Sequence, residues 1–203
     1  IIVAANGYLG DLIPKVASRV MPINNFIAAT EPLGDDAKRV LTEDVAVADG
    51  RFVVNYFRLS HDDRLLFGGG ESYGYKFPSD LRAKVRAPML KVFPELKDTP
   101  LDYAWGGTLG ITMSRLPHFA RLGPASLSTA GFSGQGVALA TLAGKIAAET
   151  ITAQAITTQA ITTQASRFDL MAAVPTPPFP GGPALRTPLL AAAMTWYALR
   201  DRF

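Results

Sequence analysis

Apolar positions in this chain fall into short runs whose period switches between strand-like alternation and helical spacing. Ile1-Ile2-Val3-Ala4-Ala5 opens as a β-branched strand that Asn6-Gly7 ends in a turn. Residues 8–20 follow as a turn and short helix, and 21–32 as a strand carrying Ile23, Phe26 and Ile27. Two further strand-like runs, 52–58 and 64–68, flank Ser60-His61-Asp62-Asp63, which has hairpin-turn chemistry. Gly68-Gly69-Gly70 then ends the second run. Residues 79–92 carry helical spacing, with Ser79 as N-cap and Pro88 as a break or kink. The strand predicted over 101–112 is interrupted by Gly106, Gly107 and Gly110, which imply a bulge or a close neighbour. Residues 125–129 form a short strand. After the next glycines, Val137, Leu139, Leu142, Ile146 and Ala147 mark one helix face packed on a sheet. Strands alternating with helices in this way define an α/β fold class.

The tail breaks the alternation. Residues 151–165 are a tandem pentapeptide, ITAQA-ITTQA-ITTQA. A five-residue step turns a helix by about 140°, so its three isoleucines cannot share one narrow stripe. The segment either prolongs the preceding helix, the preferred alternative, or forms a surface loop. Residues 175–188 read as a Pro/Gly-rich surface connector and 188–200 as a final packing helix.

The 203 residues, 48% hydrophobic and 18% charged, suffice for one large domain or two small ones. A net charge of +3, with 20 basic residues dispersed among 17 acidic ones, leaves no footprint for nucleic acid. The absence of cysteine removes disulfides, thiolate metal sites and cysteine-linked cofactors. His61 and His118 lie in no metal-ligand spacing, so no metal site is expected. No stretch approaches the roughly 20 apolar residues that cross a bilayer, so no membrane partner is expected, and a cytoplasmic location is. An opening strand with neither initiating methionine nor hairpin partner suggests that the chain starts inside a larger protein.

The chemistry concentrates at Gly131-Phe132-Ser133-Gly134-Gln135-Gly136-Val137. A strand, a glycine turn and a helix start in that order offer unpaired N–H groups to an electron-rich or anionic ligand atom. A tight turn, or close packing of helix on strand, would read the same way.

Several further motifs accompany this turn in matching order and spacing. They are Ala4 to Leu9, Tyr56-Phe57-Arg58, Leu65 to Gly69, Trp105-Gly106-Gly107-Thr108 and Thr112 to Pro117. The tail adds Phe179-Pro180-Gly181-Gly182 and Trp196 to Asp201. Together they resemble the C-terminal half of the D-amino-acid oxidase-like FAD-dependent oxidoreductase superfamily, in particular its gamma-glutamylputrescine oxidoreductase group. The resemblance implies an α+β substrate-binding sheet joined to the C-terminal part of an FAD-binding Rossmann-like domain. Residues 1–20 would end an FAD-domain segment, 21–104 form the substrate-binding mixed sheet, and 105–167 supply FAD-contacting strands and helix. Residues 168–203 are left as connector and C-terminal helix.

On the same resemblance the cofactor-binding residues are Asn6, Gly7, Gly107, Gly131, Phe132, Ser133, Gly134, Gln135, Gly136 and Val137. Tyr56 and Arg58 either face the substrate or serve as a cross-strand aromatic and a surface arginine. Sarcosine oxidases place a lysine over the flavin where this chain has Leu66; Arg64, on the same strand face, either substitutes or leaves an acceptor other than oxygen. The carboxylate anchors of sarcosine and glycine oxidases fall at Leu109, Gly134 and Ala138, none of them cationic. An amine of the gamma-glutamylputrescine type therefore suits better than a free α-amino acid. The flavin-tethering cysteine of sarcosine oxidases falls near Gly107, so FAD is expected to be noncovalent.

No Gly-x-Gly-x-x-Gly follows a strand anywhere, so the N-terminal βαβ half that grips FAD is absent. The implied function is the C-terminal portion of an FAD-dependent amine oxidoreductase giving imine and then aldehyde, with oxygen as acceptor, and inactive alone. The implied partners are a small-molecule amine and either the missing N-terminal half or another subunit. A noncatalytic binding or assembly subunit is the alternative.

Overall fold

The computed structural model describes all residues except 52, 74, 157–165, 183, 186, 187, 190, 193–195 and 197–203. In chain order its elements begin with β1 (Ile2–Val3), α1 (Pro14–Ala17), β2 (Met21–Pro32), α2 (Ala37–Val40) and β3 (Val47–Ala48). β4 (Tyr56–Leu59), β5 (Arg64–Tyr73), α3 (Leu81–Val92) and β6 (Leu101–Ile111) come next. β7 (His118–Gly123), β8 (Ser126–Ala130), α4 (Gly136–Ile156) and α5 (Arg167–Ala172) follow. Two compact units result, one built on Ile1–Pro22 and Leu109–Leu190, the other on Ile23–Thr108. The expected mixed α/β character is present in strands and helices of both units.

In the first unit β8 is the central strand, parallel to β1 through Ile2↔Leu127 and antiparallel to β7 through His118↔Ala130. Phe119, Leu127 and Phe132 pack with Ala143, Ile146 and Ala147 of α4 and Phe168 of α5. A Ser166–Asp169 capping box starts α5, and Asp169 also pairs with Arg121 of β7 at 2.6 Å. The buried stripe of α4 runs through 139, 143, 146, 147 and 150, which excludes two positions expected to pack. Val137 is 98% exposed and Leu142 42%, because neither shares that stripe at 3.6 residues per turn. α4 carries the first pentad and Ile156, whereas residues 157–165 of the second and third pentads lie outside the described residues, as does much of the segment read as the final helix.

The second unit is a five-stranded sheet in the order β3-β4-β5-β2-β6. α3 covers one face, and Phe26, Leu65, Phe67, Val85, Met89 and Phe93 fill the space between. Phe57 stacks on Phe67 at 5.7 Å and meets Phe93 edge-on at 4.9 Å. Three local expectations change here. Asp80, not Ser79, caps α3, its side chain accepting the Ala83 N–H at 2.9 Å. α3 also continues through Pro88, since Val85 and Met89 on either side are both fully buried in the core. Finally, β5 runs through Gly68-Gly69-Gly70 to Tyr73 rather than ending there.

Candidate functional site

The glycine turn is fastened from two directions. Asn6 holds the Gly131 N–H through its side-chain Oδ1 at 2.9 Å, across 125 residues of sequence. Ser133 N–H donates to the Gly110 carbonyl at 2.9 Å, while its hydroxyl accepts the Thr112 N–H at 3.2 Å. Asn6 (φ 45°), Gly131 (73°), Ser133 (52°) and Gly134 (90°) all have left-handed backbones. Such conformations cost energy in non-glycine residues, and here the surrounding bonds over-determine them. Gly131 is further constrained: a Cβ there would lie 2.4 Å from Thr112 Cγ2. At Gly110 it would lie 2.3 Å from Asn6 Oδ1. Of the predicted cofactor residues, the first unit therefore brings Asn6, Gly131 and Ser133 into one knot. Gly7 is buried in the adjacent 3-10 turn, and Phe132 is buried in the core.

The other half of the motif faces outward. Gln135 donates its N–H back to Phe132 at 2.9 Å, and the first bond of α4 runs from Leu139 N–H to Gln135 at 3.0 Å. The N–H groups of Gly136, Val137 and Ala138 precede that bond and point along the helix axis. A Cβ on Gly134 would meet nothing within 4 Å. The arrangement is a rigid set of donors beside open space, with the positive end of a 21-residue helix behind it.

Tyr56, Arg58, Arg64 and Gly107 lie together on the face of the five-stranded sheet opposite α3. Register places them there: Tyr56 pairs Gly68 and Arg58 pairs Leu66, while Phe57 and Leu65 point into the core. On β6, Ala104 packs on the core, so Tyr103, Trp105 and Gly107 take the open face. Tyr103 is 58% and Trp105 47% exposed.

The three side chains differ in freedom. Arg64 is fully engaged: it pairs with Asp62 at 2.8 Å and Asp102 at 2.5 Å, donates to the Thr30 carbonyl, and lies over Tyr103. The hydrogen bonds from Ser60 and Arg64 hold the Asp62 carboxyl down to about 2. Arg58 donates through Nε to the Leu59 carbonyl and lines a cavity of about 570 Å³ with Lys38, Glu43, Asp44 and His61. Tyr56 lies across Gly68 and donates its hydroxyl to Asn25 Oδ1 at 2.5 Å, and burial raises its pKa.

Thr112, which opens the Thr112 to Pro117 motif, bolts the glycine turn to the end of β6. Asn25, which the sequence did not single out, receives Tyr56. His118 Nδ1 meets Thr176 Oγ1 at 2.6 Å, and Nε2 is buried without a partner among the described residues. Burial first, then the charges of Arg19 and Lys15, bring its pKa down to about 4. Among the described residues no cluster of His, Asp or Glu could hold a metal ion. No described helix is long and apolar enough to cross a membrane.

These features coincide with a family match. The chain belongs to the DAO family of FAD dependent oxidoreductases, whose model matches residues 1–150. It is 43% identical over 202 residues to a probable oxidoreductase, OrdL, of Rhizobium meliloti (strain 1021), covering 100% of this chain and 45% of that protein. It is 40% identical over 204 residues to the gamma-glutamylputrescine oxidoreductase of Escherichia coli (strain K12), covering 100% of this chain and 46% of that one. The chain thus spans less than half the length of these relatives. Among solved structures, L-proline dehydrogenase from P. horikoshii shares the fold with TM-score 0.57 and 22% identity, over 75% of this chain and 42% of that one. A fructosyl peptide oxidase thermally stable mutant does so with TM-score 0.61 and 14% identity, over 92% and 47%. The outward donors of residues 136–138 and the open space at Gly134 suit the electron-rich end of a flavin ring.

Proposed function

We propose that this chain is part of an FAD-dependent amine oxidoreductase that oxidises a C–N bond of a gamma-glutamylputrescine-like amine. In the reaction a C–H hydride and an N–H proton leave the amine. The resulting imine takes up water and releases an aldehyde and ammonia. FAD, when bound, supplies the two-electron acceptor, and oxygen is the final oxidant.

The observation carrying this is the fastened glycine turn of a DAO-family chain, with Asn6 holding Gly131 and the first amides of α4 turned outward. Those amides would stabilise negative charge that gathers as electrons arrive, without reorganising, because Asn6, Thr112 and Ser133 already fix them. An α-amino acid is disfavoured, because Leu109, Gly134 and Ala138 give its carboxylate no cationic partner. We further propose that FAD is held noncovalently and that its dinucleotide grip comes from sequence outside this chain, in the same polypeptide or another subunit.

The test is product stoichiometry. Full-length protein supplied with gamma-glutamylputrescine and oxygen should yield aldehyde, ammonia and hydrogen peroxide in equal amounts. Oxygen consumption without ammonia, or no turnover of any amine, would reject the proposal.

A further inference from the structure

Two side chains of the first unit are buried without a hydrogen-bond partner among the described residues, His118 at Nε2 and Ser128 at its hydroxyl. Strand register puts both in one layer. His118 pairs with Ala130 and Ala120 with Ser128, so these four residues share a face of the β7-β8 pair. Phe119 and Leu127 take the opposite face, toward α4 and α5. Val3, which pairs with Ser128, marks the shared layer as the one packed with Leu9, Val16, Ala17, Val20 and Ala130. Both polar groups are therefore sunk in an apolar layer, His118 with 6% and Ser128 with 1% of its surface exposed. They form a diagonal pair across two antiparallel strands, whose Cα atoms lie about 7–8 Å apart and whose side chains come closer.

Leaving two polar groups unsatisfied in such a layer is costly, and protein interiors pair almost all of theirs. The neighbouring side chains cannot help: Val3, Val16, Ala17, Ala120 and Ala130 are all apolar. One shared third group would satisfy both atoms at once. Thr176 Oγ1 already takes His118 Nδ1 at 2.6 Å, which leaves Nε2 as the ring atom still to be satisfied. Whichever ring nitrogen carries the proton, a molecule that both donates and accepts can serve Nε2 and the Ser128 hydroxyl together. An anion drawn by Lys15 and Arg19, whose charges act on His118, would have to shed its water into an apolar layer. A neutral molecule avoids that cost.

We propose that His118 Nε2 and the Ser128 hydroxyl bind one internal water between them, which makes His118 the hub joining β7, β8 and the connector that follows α5. Two polar partners are the fewest that hold a buried water, and these two side chains supply them. The connector needs such a hold. Pro175, Pro177, Pro178 and Pro180 have no N–H, so within residues 175–180 only Thr176 and Phe179 can donate a backbone bond. Phe179 donates to the Ser18 carbonyl at 2.8 Å, and the Thr176 side chain meets His118. With Nε2 satisfied by the water, the ring is fixed at both nitrogens, and so is the Thr176 contact. The strand partner of His118 is Ala130, which directly precedes Gly131, so the hub also borders the glycine turn. The water site does not depend on the reaction proposed above.

A high-resolution crystal structure of the full-length, flavin-loaded protein should show a water within about 3.2 Å of both His118 Nε2 and Ser128 Oγ. Either atom bonded to a protein group, no ordered density between them, or an adventitious ion only would overturn the site. Urea unfolding of the same protein decides independently, through the sign of one substitution. Removing a hydroxyl that has no partner leaves the midpoint unchanged or raises it, whereas removing one that holds a shared water orphans Nε2. Ser128→Ala should therefore lower the midpoint, with the unfolding constant rising about tenfold. In a His118→Leu background the same substitution should lose this effect, because the water has already lost its other partner. Should His118→Leu not fold, amide exchange at Phe179 takes its place: Ser128→Ala should speed it, since a loosened ring loosens Thr176. A midpoint that holds or rises in Ser128→Ala, the same loss with His118→Leu present, or an unchanged Phe179 exchange rate would overturn the bridge.

Discussion

Replacing Gly68 by alanine puts a methyl carbon 2.1 Å from Tyr56 Cζ, 2.2 Å from Cε2 and 2.6 Å from its hydroxyl oxygen. No rotation of a methyl group relieves this, so the ring must leave the strand and its hydroxyl must leave Asn25. Overpacking costs about 1–3 kcal/mol and the lost hydrogen bond about 1 kcal/mol. The stiffer unfolded chain returns about 0.5–1 kcal/mol. Gly68→Ala should therefore destabilise the protein by about 1–3 kcal/mol. Because the whole penalty runs through one ring, Tyr56→Ala should abolish it. The double variant should cost no more than Tyr56→Ala alone, a coupling of about 2 kcal/mol. Urea unfolding of the four proteins, compared by midpoint at constant slope, measures this cycle. Additivity within about 0.5 kcal/mol would show that the ring does not occupy the space over Gly68.

Three further outcomes follow from the first unit. Gly131→Ala should cost more stability than Gly134→Ala, since both force a left-handed alanine but only the first meets Thr112 Cγ2, at 2.4 Å. Adding Thr112→Ser, which removes that methyl and keeps the hydroxyl, should recover about 1 kcal/mol of the Gly131→Ala loss in the same denaturation assay. Asn6→Ala should cost about 2–4 kcal/mol by orphaning the Gly131 N–H and straining φ, whereas Asn6→Gly keeps the backbone relaxed and should cost about 1–3. Equal losses would dismiss the strain. The fall of the His118 pKa from 6.5 to about 4 means that the unfolded chain takes up its proton first as pH drops. Its contribution is intact above about pH 6.5 and is lost toward pH 4, at up to about 1.4 kcal/mol per unit. His118→Gln should flatten that window in melting temperatures measured between pH 7 and 4.

Much of the frame was legible because it depends on local pattern. The strand over 21–32, the turn between β4 and β5 and the helix ending at Val92 all follow from alternation, turn residues and apolar spacing. What escaped depends on distant partners. The glycines at 68–70 look like a strand terminus, since glycine weakens strands. Their reason is the Tyr56 ring at Gly68, the Asn55 side chain at Gly69 and the left-handed backbone of Gly70, which no local window shows. Val137 and Leu142 are apolar at helical spacing, yet the stripe facing Phe119 and Phe168 passes between them. β7 was missed because it does not alternate, its first three residues His118, Phe119 and Ala120 all being buried, and it becomes a strand by pairing with β8. The glycine turn itself could be picked out, but its fastening could not: Asn6 is an ordinary turn residue until it meets Gly131.

An enzyme that takes electrons from an amine, as proposed for the protein to which this DAO-family chain belongs, must reduce its flavin, and anaerobic flavin reduction reads that step alone. Full-length protein, mixed without oxygen with gamma-glutamylputrescine or with an α-amino acid of similar size, should have its oxidised flavin absorbance bleached by the amine and not by the amino acid. An unbleached flavin with the amine would overturn amine oxidation, and equal bleaching by the amino acid would overturn the preference for amines.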